Sequence, residues 1–219
     1  MKIALLAPTN FQVPPVGYGG EIFIWNLARG LAAKGHEVVL FAVYGSQTPP
    51  GGRLVPMRNS RNDWRKMLDV ERDYTENPEI RREYLDCDVV HDFSHRKNAH
   101  DWMMQEGDPR VLSTLWGSCW TPPFIKKNVV VWSQDHLKQG LSGATGFEGS
   151  GIEELGALSG ALPSAAVVPG CVDTSFYSAD GVKKEDWYIF MHRPHPAKGV
   201  LDAMRLAHQV GVELRLVWD

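Results

Sequence analysis

The chain has 219 residues, of which 43% are hydrophobic and 22% charged, with a formal net charge of −3 and a pI near 6.2. This is the composition of a globular protein with ample core, and it excludes general nucleic-acid binding, which needs a basic face. No apolar run approaches the roughly 20 residues of a membrane span, and Met1–Ala7 is too short for a secretory leader, so a soluble, cytoplasmic protein is expected.

Lys2–Ala7 (KIALLA) reads as a buried parallel strand closed by Pro8. The loop that follows is rich in Pro and Gly, and Gly17, Gly19 and Gly20 let backbone approach a ligand closely. Ile24, Leu27, Ala28 and Leu31 fall on one face of a helix, with Gly35 as its C-terminal cap. Val38–Val43 is a second buried strand, which completes a βαβ unit whose sheet must be covered on both faces. Gly45–Gly52 reads as a turn-rich loop. Asn62–Leu85, charged with scattered apolar positions, predicts one or two helices broken at Pro78. Asp88–His91 predicts a short strand, Asp92–His100 a polar loop running into a helix, and Arg110–Leu115 and Val129–Trp132 two more strands.

Ser133 is a candidate N-cap for a helix through Leu141. Gly140–Gly160 is glycine-rich with a short helix near Ile152–Leu158, and Ala165–Val168 is a strand. After the polar connector Asp173–Asp186, Trp187–Met191 predicts a strand and Gly199–Val210 an amphipathic helix. The alternation of Val212, Leu214 and Leu216 with Glu213 and Arg215 predicts a final strand. The domain boundary falls near Val172–Phe176. Residues 1–172 then form a Rossmann-like α/β domain, and 173–219 a linker and the first βαβ of a second.

Several residues carry chemistry. In His192–Gly199 (HRPHPAKG), between a strand and a helix, Arg193 offers a planar fork and Lys198 a point charge beside a helix N-terminus. That set suits a diphosphate; on spacing alone it also fits a solvated basic turn. Gly19 and Gly20 open the other strand–glycine loop–helix unit, where Glu21 is also placed to complement the helix dipole. His91, Asp92, His95, His100 and Asp101 resemble a metal cluster at first. His91 ends a strand, however, so its ring need not converge with His95, and no metal is expected. A polar loop at the carboxyl edge of the sheet is the better reading, with His91 and His95 as candidates for acceptor contacts or base work. Trp116 is either core or a ligand platform. The first glycine loop lacks a third glycine, which argues against an NAD enzyme, and no Gly-x-Ser-x-Gly elbow occurs on a strand-to-helix turn. Cys87, Cys119 and Cys171 form no CxxC and fit a reducing compartment.

The order of these motifs resembles the family 4 glycosyltransferases, nucleotide-sugar enzymes of the GT-B fold with two facing Rossmann-like domains. The matching pieces are Gly19-Gly20-Glu21, the strand Asp88–His91, Val111–Ser118, Val129–Gln134, Val167–Tyr177, Tyr188–Gly199 and the helix Leu201–Ala207. The resemblance implies a hexosyltransferase-like enzyme of the retaining type that moves a sugar from a nucleotide-diphosphate donor to an acceptor, without a metal or other cofactor. Arg193 and Lys198 would bind the diphosphate and stabilise the leaving nucleotide, and Gly19 and Gly20 would approach the same phosphates and the acceptor. Glu21, His95 and Trp116 would be substrate contacts, with His91 in a catalytic role.

The sequence departs from the family at three places. Trp116 stands where the family often has a donor-contacting His, His192 replaces the Gly before the phosphate-binding Arg, and Gly170-Cys171 replaces Asn-Gly. The family's acidic E-x(7)-E segment belongs to the part of the donor domain that would follow Asp219. Base and ribose recognition is therefore expected to be largely missing from these residues. The alternative expectation is a truncated or split relative that binds nucleotide or sugar and works as a homodimer or with a separately encoded C-terminal half.

Overall fold

A computed structural model describes residues 1–15, 19–59, 64–115, 127–134, 165–170, 180–192 and 198–217. The chain divides into two units, Met1–Asp173 and Thr174–Asp219. The first contains β1 (Lys2–Leu6), α1 (Gly19–Ala33), β2 (Glu37–Val43), β3 (Arg53–Met57), α2 (Trp64–Glu71), α3 (Asp73–Glu76) and α4 (Pro78–Leu85). It continues with β4 (Val89–Asp92), α5 (Asn98–Gln105), β5 (Val111–Thr114), β6 (Val129–Val131) and β7 (Ala165–Val167). The seven strands form one parallel sheet in the order β3-β2-β1-β4-β5-β6-β7.

Successive side chains of a strand point to opposite faces, and here each face has its own core. Ala4, Leu6, Val39, Phe41 and Val90 pack with Tyr74, Tyr84, Ala99 and Met103 of α3, α4 and α5. Ile3, Leu5, Val38, Leu40 and Ala42 pack with Ile24 and Ala28 of α1. Double coverage explains why β1 and β2 are uninterrupted apolar runs. Two phenolic hydroxyls tie this layer together, one joining α3 to the end of β1 and the other joining α4 to α3. Tyr74 Oη donates to the Ala7 carbonyl at 2.7 Å, and Tyr84 Oη to the Tyr74 carbonyl at 2.7 Å.

Two features depart from the sequence reading. β3 was not among the expected strands; it carries Pro56 and lies at the edge of the sheet, where a missing N–H is tolerated. Three helices, rather than one or two, fill the stretch through Leu85. Asn77 separates α3 from α4, and its Oδ1 accepts the Glu79 and Ile80 N–H groups at 3.0 and 3.4 Å with Pro78 in the first turn. Pro78 therefore opens a helix, the position its fixed φ favours. The expected helices after Ser133 and near Ile152–Leu158 fall outside the described residues.

The second unit holds β8 (Trp187–Met191), α6 (Val200–Val210) and β9 (Glu213–Val217), and its two strands pair in parallel from Trp187↔Glu213 to Met191↔Val217. Gly199 and Gly211, at φ +73° and +71°, bracket α6 in the left-handed region, which costs glycine least. The Arg215 guanidinium lies 4.0 Å from the centre of the Trp187 ring. Among the described residues of this unit Ala207 is the one buried hydrophobic, while Tyr188, Ile189, Met191, Leu206 and Val210 are exposed. Among all described residues, no helix is long and apolar enough to cross a membrane.

Candidate functional site

The strand order reverses at β1. One connection leaves through α1 to β2 on one side, and the chain returns through α2–α4 to β4 on the other. A crevice opens at the carboxyl ends of β1 and β4 in such a sheet, and that is where ligands of doubly wound folds bind. The first turn of α1 and the loop between β4 and α5 lie at this edge.

Gly19 and Gly20 begin α1. The first N–H groups of a helix have no intrahelical partner and carry the positive end of its dipole. A Cβ added at Gly19 would meet nothing within 4 Å, so the glycine leaves open space there rather than relieving a clash. Glu21 is buried one residue further on. Burial pushes its carboxyl pKa above the usual range, opposed by a backbone hydrogen bond and by the charge of His95. Val13, after β1, is held on both backbone groups: its N–H donates to Ser46 Oγ at 2.9 Å, and its carbonyl accepts the Gln47 N–H at 2.8 Å.

The β4–α5 loop is built on buried charges. Asp92 accepts the Ser94 N–H at 2.8 Å on one oxygen and the His100 N–H at 3.0 Å on the other. Ser94 Oγ accepts the Lys97 N–H at 3.1 Å. Lys97 takes φ +55°, is 1% exposed, and reaches the Asp92 carbonyl with Nζ at 3.4 Å. Burial lowers its pKa to about 8, against the pull of Asp92, Glu71 and Asp101. Glu71, the last residue of α2, is fully buried. Its Oε2 accepts the N–H groups of His95 and Arg96 at 2.9 and 3.2 Å, and its Oε1 lies 3.1 Å from His95 Nδ1. Sequence reasoning missed Glu71 and Lys97, because each lies in a run of charged residues and their burial arises only when α2 docks against the loop.

The histidines serve different partners. His91 Nε2 is 2.7 Å from Thr114 Oγ1, and its ring stacks on Phe93 with centroids 3.8 Å apart. Burial first, and then the charge of Lys97, lowers its pKa to about 3, so the ring is neutral across the ordinary range. Phe93 packs edge-on to Phe23, and Phe23 against Trp132 at 5.3 Å, forming an aromatic wall on the α1 side. His100 Nε2 donates to the Lys127 carbonyl at 3.1 Å. The side chain of His95 remains 36% exposed. Among the described residues, no group of three His, Cys, Asp or Glu is placed to hold a metal ion. The Asp-x-Asp spacing in the sequence, Asp86-Cys87-Asp88, lies at the other edge of the sheet, where both carboxylates bond Lys2.

The structure thus brings Gly19, Gly20, Glu21, His91 and His95 to the carboxyl edge of the first unit. Lys198 is exposed in the second unit, just before α6. Arg193 and Trp116 lie outside the described residues.

Solved structures share this architecture. AviGT4, a glycosyltransferase involved in avilamycin A biosynthesis, matches with a TM-score of 0.59 and 26% identity over 98% of this chain and 55% of its own. The chain has a Rossmann-like fold of the glycosyltransferase type. Sucrose-phosphate synthase from Thermosynechococcus elongatus, with a TM-score of 0.63 and 13% identity over 99% of this chain and 62% of its own, shares the fold. The chain spans less than two thirds of the length of either structure. No protein-family model and no curated protein matches it.

Proposed function

We propose that the chain acts in glycosyl transfer, moving a sugar from a nucleotide-diphosphate donor to an acceptor with retention and without a metal. The likeness to AviGT4 over nearly the whole chain carries this reading. The placement of α1's open N-terminus and the β4–α5 loop at the switch point supports it. The N–H groups at Gly19 and Gly20 approach the donor phosphates. Arg193 and Lys198 hold the diphosphate and stabilise the charge that develops on the leaving nucleotide. Glu21, His91, His95 and Trp116 face the transferred sugar and the acceptor.

The test is nucleotide release from UDP-, GDP- and ADP-sugars with simple sugar acceptors. Release above background is expected, with about a 100-fold loss in Arg193→Ala. A folded chain silent across the panel would refute independent catalysis. The exposed apolar side chains of the second unit favour a second reading, in which the chain binds nucleotide or sugar but is active only as a homodimer or with a separate C-terminal half. A monomer by light scattering at high concentration, active alone, excludes that reading.

A further inference from the structure

We infer that the groove between α4 and α5 is a docking site for a short acidic segment of a partner protein, which sets an apolar side chain against Trp102 and its carboxylates on Arg81 and Arg82. The surface is separate from the carboxyl-edge crevice, and nothing in it depends on the glycosyl-transfer reading.

The groove follows from the spacing of α4. Pro78, Arg81, Arg82 and Leu85 fall at i, i+3, i+4 and i+7, on one face of the helix. Trp102 of α5 forms the other side, and Asp86, the C-cap of α4, completes the lining of an open groove of about 540 Å³. Trp102 is half-buried, edge-on to Tyr84 at 6.5 Å, with the Arg81 guanidinium 5.2 Å from the centre of its ring. Leu85 and Trp102 both pack partly into the core and leave the rest of their apolar surface to the groove.

The charge of this surface is one-sided. Asp86 is the one carboxylate among the lining residues, and Lys2 Nζ holds it at 2.5 Å. The neighbouring Glu83 pairs with Arg53. Arg81 and Arg82 have no carboxylate partner among the described residues, and Arg82 is exposed. Two guanidinium groups therefore stand uncompensated on a chain whose net charge is −3.

The complement is an anion, and the rest of the lining selects its class. A guanidinium fork pairs a carboxylate through two parallel hydrogen bonds. Trp102, Leu85 and Pro78 call for an apolar anchor beside that charge, which a free phosphate does not bring. Trp and Arg are also the side chains on which binding energy concentrates at protein interfaces. A nucleic acid or an anionic membrane would meet the negative balance of the whole chain, whereas a short segment meets the groove alone. The eight residues of α4 span about 12 Å, which limits the segment to a few residues. Because Asp86 is bonded to Lys2, the first residue of β1, the groove reaches the amino ends of the strands. A partner seated there leaves the crevice at the carboxyl ends open.

The test uses the intact chain and a random twelve-residue peptide library displayed on phage. Selected peptides should carry Asp or Glu on both sides of Trp, Phe or Leu. One such peptide, synthesised, should shift the Trp102 indole N–H signal in 15N spectra. Its Kd should rise about 10-fold in Arg82→Glu and rise further with added salt. Arg82 is exposed, so this variant keeps the fold; Trp102→Ala, whose urea midpoint reports its folding, should lose at least as much affinity. Enrichment of no acidic sequence, or an acidic peptide whose Kd is unchanged in Arg82→Glu, would overturn the inference. A Trp102-dependent dimer in light scattering would also overturn it, by giving the groove to a second copy of the chain. Retention on phosphatidylserine vesicles that is lost in Arg82→Glu would do the same, by giving the groove to a lipid surface.

Discussion

The first unit buries side chains on both faces of a seven-stranded sheet, whereas the second, also a parallel strand–helix–strand, buries one hydrophobic residue, Ala207, among those described. Local signals are equally good in both: apolar strands, an amphipathic helix, and glycines in the left-handed region after α1 and around α6. Layers make the difference. A helix can cover one face of a strand pair, and only further strands and helices remove the rest from water. Good element-level patterning therefore specifies a βαβ unit without by itself burying it, and among the described residues the hydrophobic cores lie in the first unit.

The largest expected effect tests that assignment. Phe41 is fully buried between β2 and the helical layer, edge-on to Tyr84 at 6.2 Å. Phe41→Ala should cost about 3–5 kcal/mol in urea unfolding, and a loss below about 1 kcal/mol would break the contrast between the units.

Acid should act next, again through the first unit. The His91 pKa of about 3 in the folded chain lies below the ordinary 6.5. The unfolded state therefore binds the proton first, and stability is lost as pH falls from 6.5 toward 3. The loss is on the order of a few kcal/mol when complete. Glu21 and Asp101, whose folded pKa values are raised mainly by burial, act in the opposite sense. Urea midpoints of the parent and His91→Asn between pH 4 and 7 isolate the imidazole. Parallel curves would show that its burial does not control acid stability.

The smallest effect is expected in the second unit. Leu206 is 62% exposed on α6, and Leu206→Ser should change stability by no more than about 0.5 kcal/mol. A larger destabilisation would mean that this face is covered in solution.

The parallel sheet was legible because β1, β2 and β6 are apolar runs bounded by Pro, Gly and polar residues, and double-sided burial writes that pattern directly into sequence. The glycines at the start of α1, and His91 near the end of β4 with His95 in the loop after it, drew attention to the carboxyl edge of the sheet for a related reason: loops at strand ends are where polar residues gather. Glu71 and Lys97 could not be read, since a charged residue in a charged helix or loop looks solvated until another element covers it. The split between α2 and α3 at Arg72 had no signal of its own. Pro78 was visible, but as a break rather than as the first residue of α4, which Asn77 caps.

Pro56 has a consequence for how the chain meets its own copies. In the register of β3 with β2, the Met57 carbonyl accepts the Tyr44 N–H, so the backbone groups of neighbouring Pro56 point away from β2. Proline has no N–H to offer there, and an incoming strand would find its ladder broken in the middle of a five-residue edge. This flank of the sheet is a poor template for extension. Self-association at that end would have to be built from side chains instead of a shared ladder of backbone hydrogen bonds.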